Sequence, residues 1–292
     1  MSALLDQSRT DLAARLHELY QDSSKHSVYQ SVPTFVARAL GYQEEIHSLW
    51  RSDAPRFAYL ADRLNLPPGA RLADIGANTG FFSLNFAHVR PDLLITAYEM
   101  NPRHAEFIRL TAAAFAPECI EVLTQSCDLA GLNRLPLFDA VLLLNVVHHA
   151  GFDFDADVPD NNEAFTDYAI GYLAKLRAHS RQLVFQVGSN RGGDKARPLF
   201  HRDDDVARLN WLSKVLGLAG WKISHLGYAH LSESETIVFR DAPPSVLAAA
   251  SDGVANTSTL VDFFRSAHLD RFPGEFHRRP LVIASAIEAP TP

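Results

Sequence analysis

Between Arg71 and Ala87 the chain reads RLADIGANTGFFSLNFA: an apolar run, a turn punctuated by two glycines, and a stretch rich in aromatic residues. Leu72, Ala73 and Ile75 suit a parallel strand covered on both faces, because such a strand is apolar at successive rather than alternate positions. Gly76 and Gly80 stand where a strand-to-helix turn needs permissive backbone or close approach. Amides freed beyond Gly76 are expected to face a polar ligand, while Phe82, Leu84, Phe86 and Ala87 pack the following helix onto a sheet.

A second strand follows in DLLITAYEMNP, residues 92–102, and it ends on an acidic side chain. Glu99 lies 19 positions after Gly80, near the offset at which a carboxylate on the second strand meets ribose hydroxyls in nucleotide-binding sheets. Asn101 is placed to cap the next helix, with Pro102 at its first position.

Periodicity extends the pattern in both directions. Leu4, Leu5, Leu12, Leu16 and Leu19, then Phe35, Ala39, Ile46, Leu49 and Trp50, predict helices over 4–20 and 34–50. After the second strand come a helix (102–116), a strand (119–126), a strand apolar throughout (138–147), a helix (163–178), a strand (182–187), a helix (204–218) and a strand (221–228). This alternation predicts an α/β fold with a doubly wound, mostly parallel seven-stranded sheet. The segments divide as an N-terminal helical region (1–65), whose residues 23–33 read as a surface connector with a substrate-covering lid as the alternative, an α/β core (66–240) and a C-terminal helical extension (241–292). Two segments compete to close the sheet, 236–240 and 281–286, and the shorter connection favours the first.

Composition narrows the partners. A formal charge of −7 and a pI near 6.0 give no general attraction to phosphate backbones. A small-molecule or protein substrate is therefore expected ahead of nucleic acid. Cys119 and Cys127 form neither a disulfide framework nor a metal motif. With no long apolar run and no charged-then-apolar leader at Met1, the sequence predicts a cytoplasmic protein with no membrane association.

Taken together, Asp74, Gly76, Asn78 and Gly80 resemble motif I of the class I S-adenosylmethionine (SAM) dependent methyltransferases, with Asn78 replacing the middle glycine. Asn visits the left-handed region more readily than most residues. The run FDAVLLLNVVHH, residues 138–149, resembles motif IV of the same superfamily. The resemblance spans roughly residues 66–240. It implies a Rossmann-like fold, SAM as cofactor, and methyl transfer to an O, N or C acceptor. It places Asp74, Gly76, Asn78, Gly80, Glu99, Asp128 and Asn145 at the cofactor, with Asp128 near the adenine, although a turn-initiating Asp serves the backbone equally well. His148 and His149, at the end of the fourth strand, are the joint candidates for a general base.

Three further stretches carry expectations. Asp153, Asp155, Asp157 and Asp160 form a solvated acidic flap rather than a metal loop, since the glycine and distal glutamate of an EF-hand are missing; no metal is expected. The segment 188–202 places Arg191, Lys195, Arg197, His201 and Arg202 on the ligand side, where they could grip an anionic acceptor. Residues 271–279 form a second basic patch, which keeps a tRNA acceptor as the alternative. A NAD-dependent oxidoreductase is a further alternative, although Tyr172 is three positions before Lys175 rather than the four that the short-chain reductase signature requires. The last alternative is a non-catalytic SAM-binding regulatory domain.

Overall fold

A computed structural model describes residues 2–20, 31–41, 52–115, 118–158, 160–201, 204–232, 234, 236–251, 257–272 and 275–287. Most of the 23–33 segment, the second half of the 34–50 helix and Arg202 lie outside the described residues.

Three helices lead in: α1 (Ser2–Tyr20), α2 (Thr34–Leu40) and α3 (Asp53–Arg63). The alternating core follows with β1 (Arg71–Ile75), α4 (Phe81–Val89), β2 (Leu94–Tyr98), α5 (Pro102–Phe115), β3 (Ile120–Leu123), β4 (Phe138–Leu144), α6 (Asn162–Arg177), β5 (Ser180–Gln186), α7 (Asp205–Leu218) and β6 (Trp221–Leu231). The chain closes with β7 (Ile237–Asp241), α8 (Pro244–Ser251), α9 (Thr257–Ala267) and β8 (Leu281–Ala286). One sheet holds the strands in the order β3-β2-β1-β4-β5-β8-β6-β7. Strands β1 to β5 pair in parallel, and the antiparallel β8 joins β5 to β6.

The sheet therefore has eight strands rather than the expected seven, because both of the competing segments enter it. Ile237–Asp241 does return antiparallel to β6, but as the edge. Leu281–Ala286 occupies the interior place between β5 and β6 because its first four residues are buried, whereas β7 is half exposed. A strand with neighbours on both sides and cover on both faces must be apolar on both faces. The nearer segment takes the edge, as the short connection favoured, and the farther one takes the interior.

The main core runs along the sheet from Leu72 and Ile75 through Leu142, Leu143, Val184 and Phe185 to Ile283. Each of these side chains contributes about 1.5–3 kcal/mol relative to its exposed state. Helix α5 begins as its sequence indicates, with Asn101 Oδ1 accepting from the Arg103 N–H at 2.9 Å. A second, smaller cluster joins Leu16, Leu19, Val32 and Val36 to Phe107, seating α1 and α2 on α5. No helix among the described residues is long and apolar enough to cross a membrane.

Candidate active site

The carboxyl ends of β1, β2, β4 and β5 meet where β1 gives way to α4. In that turn Gly76, Asn78 and Gly80 have φ of +70°, +53° and +77°, so the substituted middle position uses the left-handed conformation that Asn tolerates. A Cβ on Gly76 would lie 2.5 Å from Val146 Cγ2, and one on Gly80 2.8 Å from Ile108 Cγ1. Both glycines are required by space as well as by φ.

The turn is laced to the tip of β2. The Gly76 and Ala77 N–H groups both donate to the Tyr98 carbonyl, at 2.9 and 3.0 Å, and the Gly80 N–H donates to the Ala77 carbonyl at 2.8 Å. The Asn78 N–H donates to Glu99 Oε2 at 2.7 Å, and the Asn101 N–H to Glu99 Oε1 at 2.7 Å. These turn amides are thus spent within the protein, contrary to the expectation that they would face a ligand. Glu99 is the polar group left at the strand tip. Burial pushes its carboxyl up to about 7, against the two backbone donors that favour the ionised form.

Asp74 is also buried, and Ser83 in the first turn of α4 donates to its Oδ2 at 2.6 Å. Burial raises it to about 6, with the Ser83 hydrogen bonds opposing. The carboxylate so bonded ties the strand to the helix start and holds the turn from below. The Thr79 hydroxyl, inside the same turn, is buried with no hydrogen-bond partner among the described residues. An orphaned hydroxyl here, with a carboxylate at the neighbouring strand tip, is what a nucleoside-type ligand would satisfy. The residues present fit the cofactor the turn implies.

Asp128 and Asn145 have local partners. Asp128 Oδ1 accepts from the Gly131 N–H at 2.5 Å and starts the short helical turn Gly131–Arg134. Asn145, at φ +60°, closes a ring: its Nδ2 donates to Gln186 Oε1 at 2.9 Å, Gln186 Nε2 donates to the Arg279 carbonyl at 3.0 Å, and Arg279 Nη1 donates to Asn145 Oδ1 at 2.9 Å.

The two histidines separate in a way that sequence does not reveal. Strand β4 ends at Leu144, and Val147–His149 forms one helical turn rather than continuing the strand. His148 is buried, its Nδ1 accepting from the Gly188 N–H at 3.3 Å. A Cβ at Gly188 would collide with that ring. Burial, with the nearby His149 and Arg279, holds the His148 imidazole neutral, far below its ordinary pKa. His149 is partly exposed, and its Nδ1 lies 2.6 Å from Asp153 Oδ2. With Nδ1–H donated to the carboxylate, Nε2 carries the lone pair.

The acidic loop is not a solvated flap. Asp153 takes His149; Asp155 Oδ2 accepts from the Leu129 N–H at 2.8 Å and the Tyr168 hydroxyl at 2.5 Å. Asp160 pairs with Arg191 at 2.5 Å and Arg197 at 3.0 Å. The carboxylates point to different partners, and no group of three or more metal-type ligands occurs among the described residues. Of the candidate anion grips, Arg191 and Arg197 are therefore engaged within the protein, and Arg197 also lies over Phe152 at 5.0 Å. The second basic patch turns inward as well: Arg278 pairs with Asp205 at 2.5 Å, and Arg279 with Glu275.

No family model matches the chain. It is 24% identical over 203 residues, 70% of this chain and 76% of the other, to ribosomal RNA small subunit methyltransferase G of Mycolicibacterium vanbaalenii. The protein of the same name from Sorangium cellulosum is 38% identical over 77 residues, 26% of this chain and 32% of that protein. Among solved structures, magnesium protoporphyrin IX methyltransferase from Synechocystis PCC 6803 aligns at 15% identity with a TM-score of 0.47, covering 98% of each chain. TrmN from Thermus thermophilus aligns at 14% identity with a TM-score of 0.44, covering 80% of this chain and 48% of the other. With its parallel strand order and its Asp74–Gly80 turn laced to Glu99, the chain has the fold of the class I SAM-dependent methyltransferases.

Proposed function

We propose that the protein transfers a methyl group from SAM to an O, N or C acceptor on a small molecule, with His149 taking the acceptor's proton where one must leave. The single observation behind the base assignment is the His149–Asp153 contact at the end of β4. When bound, SAM supplies an electrophilic methyl carbon on a sulfonium. The turn at Gly76, Asn78 and Gly80, held by Asp74, shapes the cradle; Glu99 accepts from the ribose hydroxyls. Asp128 and Asn145 border the adenine end and the mouth. Asp153 holds the imidazole in one tautomer, so that a proton is received at Nε2. His148, neutral and enclosed, packs the loop.

An RNA acceptor is the second reading, prompted by the ribosomal RNA methyltransferase relatives. Against it stand the net charge of −7 and the pairing of Arg191, Arg197, Arg278 and Arg279 within the protein. RNA binding that weakens steeply with added salt would favour it. The two free thiols, Cys119 and Cys127, suit a reducing cytoplasm.

Calorimetric titration with SAM and with NADH tests the cofactor, and SAM binding alone is expected. Once an acceptor that must lose a proton is in hand, His149→Gln is expected to lower turnover by roughly 10²–10⁴ while retaining SAM binding. His148→Gln is expected to leave the chemical step close to wild type and to cost stability, because the ring is enclosed. Full turnover in His149→Gln would remove the base; absence of turnover with every acceptor would favour a regulatory SAM-binding domain.

A further inference from the structure

Above the ends of β4 and β5, beside the proposed base, guanidinium groups converge from three separate segments. Arg56 comes from α3, Arg208 from α7 and Arg279 from the turn before β8. Arg56 Nη1 donates to Gln186 Oε1 at 2.9 Å, and Arg56 pairs with Asp53. Phe276 lies between two of the cations, 4.9 Å from Arg56 and 4.8 Å from Arg279. Arg208 is wholly buried and committed to Asp205 and Ser189 at 2.5 and 3.0 Å. Its own Nε–H has no partner among the described residues, but the side chain has no exposed surface at which a ligand could meet it.

Arg279 has the same unpartnered Nε–H on a side chain that is not wholly enclosed. Its Nη1 is used by Asn145 and its Nη2 by Glu275, but its buried Nε–H has no partner among the described residues. The Nε–Nη2 edge, the one that grips a carboxylate through two parallel hydrogen bonds, is therefore half occupied. Its anion is Glu275, since Asp53 pairs with Arg56 and Asp205 with Arg208 and Arg278. Burial, with the like charges of Arg208 and Arg56, depresses Arg279 even though Glu275 opposes. The position is relevant to catalysis, since the charge of Arg279 reaches His148, whose ring centroid lies 4.3 Å from that of His149.

We propose that Arg279, beside Asn145 at the ends of β4 and β5, binds a carboxylate on the methyl acceptor. The anion site stands on its own geometry; that its occupant is the acceptor rests on the methyl-transfer reading above. A carboxylate seated at Arg279 completes the guanidinium edge and adds a negative charge among the cations. It also anchors a small acceptor next to His149. Arg191 and Arg197, the grips suggested by the loop sequence, are engaged by Asp160.

The test separates the two claims. Calorimetry with S-adenosylhomocysteine on the full chain first establishes the cofactor site. The S-adenosylhomocysteine-loaded protein is then titrated with benzoate, benzamide and phenyl phosphate, following the arginine Nε–Hε resonances by NMR, with Arg279 assigned by the loss of its signal in Arg279→Lys. A saturable downfield shift of the Arg279 signal with benzoate, absent with benzamide, is expected. In Arg279→Lys, which keeps the charge but loses the Nε donor, benzoate should bind about tenfold more weakly, the scale of one charge-assisted hydrogen bond. No shift with benzoate at millimolar concentration overturns the site even if S-adenosylhomocysteine binds. A larger response to phenyl phosphate than to benzoate overturns the carboxylate assignment. Failure of S-adenosylhomocysteine to bind, with the benzoate shift retained, removes the methyltransferase reading and leaves the anion site.

Discussion

Gly76 shows how little freedom a single residue has in this site. At φ +70° any side chain is strained, and a Cβ would lie 2.5 Å from Val146. Gly76→Ala should cost about 2–4 kcal/mol, combining the left-handed penalty with overpacking. Denaturant unfolding measures it, and a loss under about 1 kcal/mol would mean that the turn relaxes easily. Glu99→Ala removes a charged acceptor from the proposed ribose contact and should weaken SAM binding by about 1–3 kcal/mol with the fold retained. Unchanged affinity by calorimetry would remove Glu99 from the site. The need for glycine at 76 and 80 and for a carboxylate at 99 was legible in the sequence, because those requirements are local. Which histidine is enclosed was not legible: a turn begins where a strand was expected to continue, and one step along a 3₁₀ turn rotates a side chain by about 120°.

Among the elements, the loops after β4 and β5 behave as one unit. Asp160 holds Arg191 and Arg197, and Gly192 lies so close to the Phe152 ring that a Cβ there would strike it. Asp160→Ala should cost about 1–2 kcal/mol, more than an exposed pair, because Arg191 is left behind with only 7% of its side chain exposed. Amide exchange is expected to rise in both loops together; a rise confined to one would show that they open independently. The sequence displayed these loops as an acidic run and a basic run, each assigned a separate role. Their mutual neutralisation depends on two strand ends being neighbours in the sheet. The same holds for β8, whose apolar character is plain but whose place between β5 and β6 is set by the long return through α8 and α9.

For the whole molecule, the buried carboxylates make folding and cofactor binding respond oppositely to pH. Burial raises Glu99 from 4.5 to about 7, so the folded apoprotein retains a proton that the unfolded chain releases near 4.5. The stability contribution of this group is complete below that value and is lost as pH rises towards 7. On the proposed ribose contact SAM binding runs the other way, because the hydroxyls would donate to the ionised form. Affinity is expected to increase about tenfold between pH 6 and pH 8, with Asp74, raised to about 6, adding in the same direction. Calorimetry at the two pH values checks it, and a flat profile in the wild type would rule out the ionised carboxylate as the ribose acceptor. By itself the sequence determined the strand–turn–helix unit, the acidic second-strand tip and the alternating architecture, since each is written in short-range spacing and apolar patterning. The order of the last strands, the pairing of the loops, the assignment of His149 to Asp153 and the gathering of Arg56, Arg208 and Arg279 were decided by tertiary structure. Those contacts join residues from 4 to more than 200 positions apart, and which charge finds which partner follows from strand adjacency and burial rather than from neighbouring residues.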